Sequence, residues 1–312
     1  MTSPNSTRLY RRGTSVIEFF ERFPDERACL HHIHGIRWGD HSPCPRCQRH
    51  GKWAWVKGSK KYQHACWKHI SVLKDTVFYR SNLSLMAWFY AMLLLCNSSI
   101  GVRSSTVRKQ LGIGIRSSSR MVNQIRLQMA AYDRPEMLGG DGKTVQVDEL
   151  LIKSCLYDDG SGRPNRVTIL GFSCDNIVLA GIVADRKKAT ILRAIERYVR
   201  PGSLIVSDGH SGYKRLRQLG WKHVAVNHEQ GFYVMNGFST AGIESYWSTL
   251  KRTLGAYRMI WEQSLWLYLA EAEFRYNHRR SALSNFDELT SYFADISGTH
   301  PDTLRKKYDW RE

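Results

Sequence analysis

Three β-rich runs follow one another in the middle of this chain, and the first has a carboxylate inside it. They are Thr144-Val-Gln-Val-Asp-Glu-Leu-Leu-Ile152, Arg166-Val-Thr-Ile-Leu-Gly-Phe172 and Ile177-Val-Leu-Ala-Gly-Ile-Val183. Turn chemistry at Asp158-Asp-Gly-Ser-Gly-Arg-Pro164 separates the first two. Residues 186–200 then read as a helix, with Ile191, Leu192, Ile195 and Val199 on one face. Gly202-Ser-Leu-Ile-Val-Ser-Asp208 is a fourth strand, ending in a second acid. Three strands, a helix, another strand and further helices specify a mixed α/β layer rather than a barrel. An acid within or just past a core strand is costly unless something pairs with it, and a divalent cation does that well.

A third acid lies in Thr240-Ala-Gly-Ile-Glu-Ser-Tyr-Trp-Ser-Thr-Leu-Lys-Arg252, which reads as one helix. Ile243, Tyr246, Trp247, Leu250 and Leu254 recur at the spacing of a buried stripe. Glu244 and Lys251 stand nearly two turns apart, so both heads leave the same side. Alone they read as an ordinary solvated pair. If this helix packs on the edge of the strands bearing Asp148 and Asp208, three carboxylates converge and can hold one or two Mg²⁺. Such ions activate the attacking oxygen and stabilise the leaving one at a phosphodiester.

The charge distribution points the same way. The 312 residues carry a formal net charge of +18. Residues 1–140 hold 22 Lys and Arg against 8 Asp and Glu, whereas residues 141–312 hold 24 against 20. A basic first part suits a polyanion, and the balanced second part collects the carboxylates. No stretch reaches the length of an apolar membrane span, and no apolar segment follows Arg8, Arg11 and Arg12 as a secretory leader would require. A cytoplasmic location is therefore expected. Seven unevenly placed cysteines do not suggest a secreted disulfide framework.

Within the basic part, residues 14–38 read as two short helices broken at Pro24, with Asp25 capping the second. Cys44-Pro-Arg-Cys47, eighteen residues and then Cys66-Trp-Lys-His69 follow the pattern of a zinc ribbon. Cys44, Cys47, Cys66 and His69 are the expected Zn²⁺ ligands, with His64 competing for the fourth place. Residues 83–96 form an apolar helix, and residues 98–130 read as helix, glycine turn, helix. In the second of these, Arg116, Arg120 and Arg126 suit phosphates or guanine edges. Residues 135–142, rich in glycine, read as a linker.

These motifs together resemble the bacterial insertion-sequence transposases that have an N-terminal zinc ribbon and a DDE catalytic domain, an ISXO2-like group related to Merlin elements. The residues that carry the resemblance span nearly the whole chain. They include Ile17-Glu-Phe-Phe-Glu-Arg-Phe-Pro24, Cys44-Pro-Arg-Cys47, Gln146-Val-Asp-Glu149 and Ser207-Asp-Gly-His-Ser-Gly-Tyr213. Val226-Asn-His228, Gly242-Ile-Glu-Ser-Tyr-Trp-Ser-Thr-Leu-Lys-Arg252 and Phe274-Arg-Tyr-Asn-His-Arg279 complete them. The resemblance implies a ribonuclease-H-like α/β fold in which Asp148, Asp208 and Glu244 form the triad that holds Mg²⁺ or Mn²⁺. It makes Lys251, with Arg252 beside it, a DNA contact near the reacting end. The implied reaction is cleavage at transposon ends and attack of the freed 3′-OH on target DNA. The implied partners are double-stranded DNA bearing terminal inverted repeats, target DNA and further copies of the chain on paired ends, with no membrane. A nucleoid-associated bacterial protein fits that description.

The corresponding domain plan is a helical segment over 1–40, a zinc-ribbon module over 41–80 and a helix-turn-helix region over 81–135. A catalytic domain over 143–285 and a helical tail over 286–312 follow. Two departures stand out: Gln63 occupies a cysteine position of the family's second knuckle, and Ser239-Thr-Ala-Gly242 replaces its His-Thr-Asn-Gly. The alternative reading is a catalytically silent DNA-binding regulator that keeps the same fold.

Overall fold

The computed structural model describes residues 13–39, 41–132, 134–152, 166–208, 211–213, 216–226, 238–257, 259–293 and 301–311. The turn expected over 158–164 lies outside them, as do Arg8, Arg11, Arg12, His210, Asn227 and His228. The chain divides into two compact units, one made of residues 1–97 with 280–293, the other of 98–279 with 294–312.

In the first unit, α1 (Val16–Arg22) opens with a capping box, Ser15 accepting from the Glu18 amide while the Glu18 carboxylate accepts from Ser15. Asp25 caps α2 (Glu26–Arg37) in the same way, its side chain accepting from the Ala28 amide. Strands β1 (Ala54–Trp55), β2 (Lys61–Gln63) and β3 (His69–Ser71) make a small antiparallel sheet in that order. The apolar helix α3 (Leu85–Asn97) is the hub, burying Trp88, Phe89, Met92 and Leu95.

The second unit begins with α4 (Ser104–Leu111) and α5 (Ile115–Ala131). Between them Gly112 takes a left-handed conformation at φ 62°, which lets the chain reverse without a Cβ clash. Strands β4 (Leu138–Gly139), β5 (Thr144–Ile152), β6 (Val167–Cys174) and β7 (Ile177–Val183) follow, then α6 (Lys188–Tyr198), β8 (Val199–Arg200), β9 (Leu204–Asp208) and β10 (Lys222–Val226). The main sheet has the order β10-β9-β5-β6-β7. β5, β6 and β7 are antiparallel neighbours, while β9 runs parallel to both β5 and β10. The mixed α/β layer expected of the strand–helix order is present. Residues 135–142 are not a free linker, because Leu138 is buried and β4 pairs with β8 inside the unit.

Helices α7 (Ala241–Gly255) and α8 (Leu265–Asn277) cover one face of the sheet, and α6 covers the other. The expected helix over 261–276 is α8 preceded by a short 3-10 turn, Glu262–Ser264. Downstream, α9 (Asn285–Thr290) belongs to the first unit, where Phe286 packs against Phe19 and Phe23. α10 (Pro301–Arg305) returns to the second. The span 81–135 is thus shared, α3 in one unit and α4 and α5 in the other. Among the described residues no helix is long and apolar enough to cross a membrane.

Candidate active site

The register of the sheet places the acids. Val147 on β5 pairs with Ser207 on the parallel strand β9, so Asp148 and Asp208 leave side by side where that pairing stops. Residues of even number on β5 face α7 and α8, as Leu150 and Ile152 do, whereas Val145 and Val147 face α6. Asp148 is on the α7 side, and there the Trp247 indole N–H donates to its Oδ2 at 2.9 Å. Gly171, opposite Asp148 on β6, makes room for that ring: a Cβ there would meet Trp247 at 2.6 Å. The Gln146 side chain accepts from the Ile243 amide at 3.0 Å, which ties the start of α7 to β5.

Glu149 leaves the opposite face, yet ligand oxygens of Asp148, Glu149 and Asp208 all lie within 4.8 Å of one another. Burial pushes Asp148 up to about 6, against the Glu149 amide that favours its charge, and Asp208 and Glu244 add repulsion. Burial raises Glu149 further, to about 7, with Asp208 next in effect and the hydroxyl of buried Tyr213 opposing both. Three carboxylates crowded in a place that penalises charge are a donor set for a hard divalent cation.

Of the expected triad, the structure brings Asp148 and Asp208 together and leaves Glu244 just outside their cluster. Glu244 sits in the first turn of α7, exposed, its Oε1 accepting from the Thr240 hydroxyl at 2.6 Å. Its charge reaches Asp148. Lys251 and Arg252 are exposed on the same helix. Glu149 has no role in the sequence reading, although a second acid directly after Asp148 in an apolar run is the signal that could have found it.

A model of the ISXO2-like transposase domain matches residues 138–277, the span that holds all of these groups. An uncharacterized transposase-like protein of Haemophilus influenzae (strain ATCC 51907 / DSM 11121 / KW20 / Rd) is 30% identical over 97 residues, 31% of this chain and 78% of that protein. The chain belongs to the ISXO2-like transposase family. A solved structure, a pre-cleavage Mos1 transpososome, aligns at 13% identity over 66% of this chain and 80% of that one, with a TM-score of 0.29.

The second metal-like cluster of this transposase-family chain is in the first unit. Cys44, Cys47, Cys66 and His64 bring ligand atoms within 4.8 Å of one another. Cys44 Sγ lies 3.5 Å from Cys66 Sγ, and His64 Nδ1 lies 3.2 Å from Cys66 Sγ and 3.7 Å from Cys47 Sγ. Tetrahedral Zn²⁺ with arms of about 2.3 Å needs ligands roughly 3.8 Å apart, so the set is compatible with zinc. Burial would raise the Cys44 thiol, but amide hydrogen bonds from Cys47 and Arg46 bring it down to about 7. The fourth member is His64, not His69. Side chains alternate along a strand, and His64 follows buried Tyr62 two positions on, whereas His69 pairs with Gln63 on the outward face. The exposed His69 ring hydrogen-bonds the Gln63 side chain at 3.1 Å.

The arginines of α5 divide. Arg116 and Arg120 are exposed. Arg126 is not a DNA-facing residue: it is 2% exposed, with Nε donating to Glu271 at 2.7 Å and Nη2 to the Tyr257 hydroxyl at 3.0 Å. Ten residues beyond Arg116, it has rotated onto the face that packs against α8.

Proposed function

We propose that the chain is a DDE transposase with a ribonuclease-H-like catalytic domain, which cleaves DNA at transposon ends and joins the freed 3′-OH to target DNA. The reading is carried by one observation, the convergence of Asp148, Glu149 and Asp208 at the end of the β5–β9 pairing. Asp148 and Asp208 would hold Mg²⁺ or Mn²⁺, with Glu244 completing the set from α7. A divalent cation supplies Lewis-acid polarisation of the phosphodiester. The protein's own part is positional. Trp247 holds Asp148, Gln146 holds the start of α7, and exposed Lys251 and Arg252 offer cations to the DNA backbone beside the acids.

Arg116 and Arg120 on α5, and a Zn²⁺ site of Cys44, Cys47, His64 and Cys66, would serve DNA binding. The duplex would carry the terminal inverted repeats, and two ends would be paired by more than one copy of the chain. Inside a bacterial cell the protein would act at the nucleoid. The test is incubation of the full chain with a duplex bearing the repeats that flank its gene, with Mg²⁺ or Mn²⁺. Nicking and strand joining are expected, and both should be lost in Asp148→Ala and Asp208→Ala. Persistence of cleavage in both variants would sink the assignment.

A second reading, a non-catalytic DNA-binding regulator, is favoured by one observation: Glu244 stands outside the acidic cluster with its carboxylate on Thr240. It predicts salt-sensitive binding of the repeats without strand joining.

A further inference from the structure

The part of the first unit that carries β1, β2 and β3 has a charge pattern of its own. Residues 41–74 hold eight Lys and Arg and no Asp or Glu. A stretch of that composition has no carboxylate of its own to repel a phosphate backbone. The acids that engage it come from outside, Glu26 at Lys60 and Asp75 at Lys74.

Inside this stretch Trp67 is 77% exposed, more than any other large hydrophobic side chain among the described residues. Trp53, in the same module, is buried, so exposure is particular to position 67. The backbone there is also unusual. Trp67 has φ 68°, in the left-handed region where the Cβ of a bulky side chain crowds the chain and glycine is the easier occupant. Hydrogen bonds close the turn around it: the Trp67 amide donates to the His64 carbonyl at 2.8 Å, and the His64 amide to the Lys68 carbonyl at 2.9 Å. Cys66, the residue before, belongs to the cysteine–histidine cluster, its Sγ 3.5 Å from that of Cys44.

The turn explains why one residue is left-handed, but not why that residue is tryptophan. An indole here neither gains burial nor suits the backbone. Strain kept without a structural return points to a contact outside the chain. The residues beside it in sequence, Ala65, Lys68 and His69, add no large apolar side chain that would suit an apolar protein partner. An exposed aromatic ring in a stretch of cations without acids suits a nucleobase and its phosphates.

We infer that Trp67 enters duplex DNA and stacks on a base, prying a base step apart while the cations of residues 41–74 take the phosphates. Opening a stacked step costs free energy, so a wedge must push from a support that does not give way. A turn pinned by two hydrogen bonds and by the cluster at Cys66 is such a support. The inference deepens the DNA-binding role proposed above for this metal-like site and rests on that reading.

The test is fluorescence anisotropy of the full-length protein, without added Mg²⁺, on a labelled duplex of mixed sequence and on its single strand, over a range of salt concentrations. Urea unfolding of the same proteins runs beside it. Trp67→Gly should weaken duplex binding about tenfold, and Trp67→Phe should keep most of the affinity. The slope of log affinity against log salt should not change in Trp67→Gly, because an indole neutralises no phosphate. Its urea midpoint should stay or rise, because glycine relieves the left-handed strain. Duplex affinity unchanged in Trp67→Gly overturns the inference, as does a loss confined to the single strand, which would place an unpaired base on the ring. A lower urea midpoint or a smaller salt slope in Trp67→Gly would overturn it too, making the indole a structural group. A protein that binds no duplex at all would fail the DNA-acting reading as well, whereas duplex binding indifferent to Trp67 fails this inference alone.

Discussion

At the scale of single residues, the account turns on which side of a strand or helix each group leaves. Asp148 and Asp208 are legible in the sequence because an acid among Val145, Val147, Leu150 and Leu151, or at the end of Leu204–Asp208, asks for a partner. Glu149 is marked in the sequence only as a second acid after Asp148 and could not be placed at the site, since alternation sends it to the opposite face and only the end of the β5–β9 pairing lets it meet the other two. His64 and His69 could be told apart only by the register of β2 against β3. Replacing Trp247 by Phe keeps the ring over Gly171 and removes the hydrogen bond to Asp148. Hydrogen bonds to charged groups contribute about 1.5–3 kcal/mol, so Mn²⁺ affinity measured by calorimetry should fall about tenfold or more. Unchanged affinity would show that the indole only packs. In the first unit, Ser284, Arg22 and Thr14 hold the Asp287 carboxyl below the usual range against the raising effect of burial. A depressed pKa contributes stability above the unfolded value, about 4, that is lost as pH falls through the folded one. The advantage of the native protein over Asp287→Asn in urea unfolding should therefore be constant near neutrality and disappear below about pH 4. An advantage that grew on acidification would contradict the assignment.

At the scale of elements, α5 presents two faces. Its exposed face carries Arg116 and Arg120, proposed above to serve DNA binding, while Arg126 is buried against Glu271 of α8, which also receives Arg275 at 3.3 Å. Removing one partner of a buried pair costs about 3–5 kcal/mol, against about 0.5 kcal/mol or less for a surface change. Arg126→Ala should therefore lower the urea midpoint sharply, and Arg116→Ala should leave it in place. Equal midpoints would return Arg126 to the surface. The helix-turn-helix pattern itself was readable from Val107, Leu111, Gly112 and Gly114. What the pattern lacked was the identity of the packing partner, because a basic helix face looks the same whether a phosphate or a glutamate waits opposite.

For the whole molecule, the least legible feature is how the chain's last residues complete the sheet. β7 is an edge strand, and an exposed edge invites pairing with other chains. Here the Ile182 amide donates to the Tyr308 carbonyl and the Trp310 amide to the Ile182 carbonyl, both at 2.7 Å. Gly181 leaves space for Trp310, which stacks on Tyr198 at 4.1 Å, and Arg134 lies over Tyr308 at 4.3 Å. A polar tail carries no periodicity that announces such docking. Tyr308→Ala should cost about 3–5 kcal/mol and bring earlier aggregation by light scattering on heating, whereas an unaltered melting curve would deny the tail this role. The central claim concerns a different part of the sheet, that Asp148 and Asp208, with Glu149 crowded against them, make a divalent-cation site. The direct measurement is the loss of the free Mn²⁺ signal in electron paramagnetic resonance when zinc-loaded protein is added. The account predicts one or two ions taken up per chain at the carboxylates, and none when Asp148 and Asp208 are both changed to Asn. Equal uptake by the double variant would contradict it.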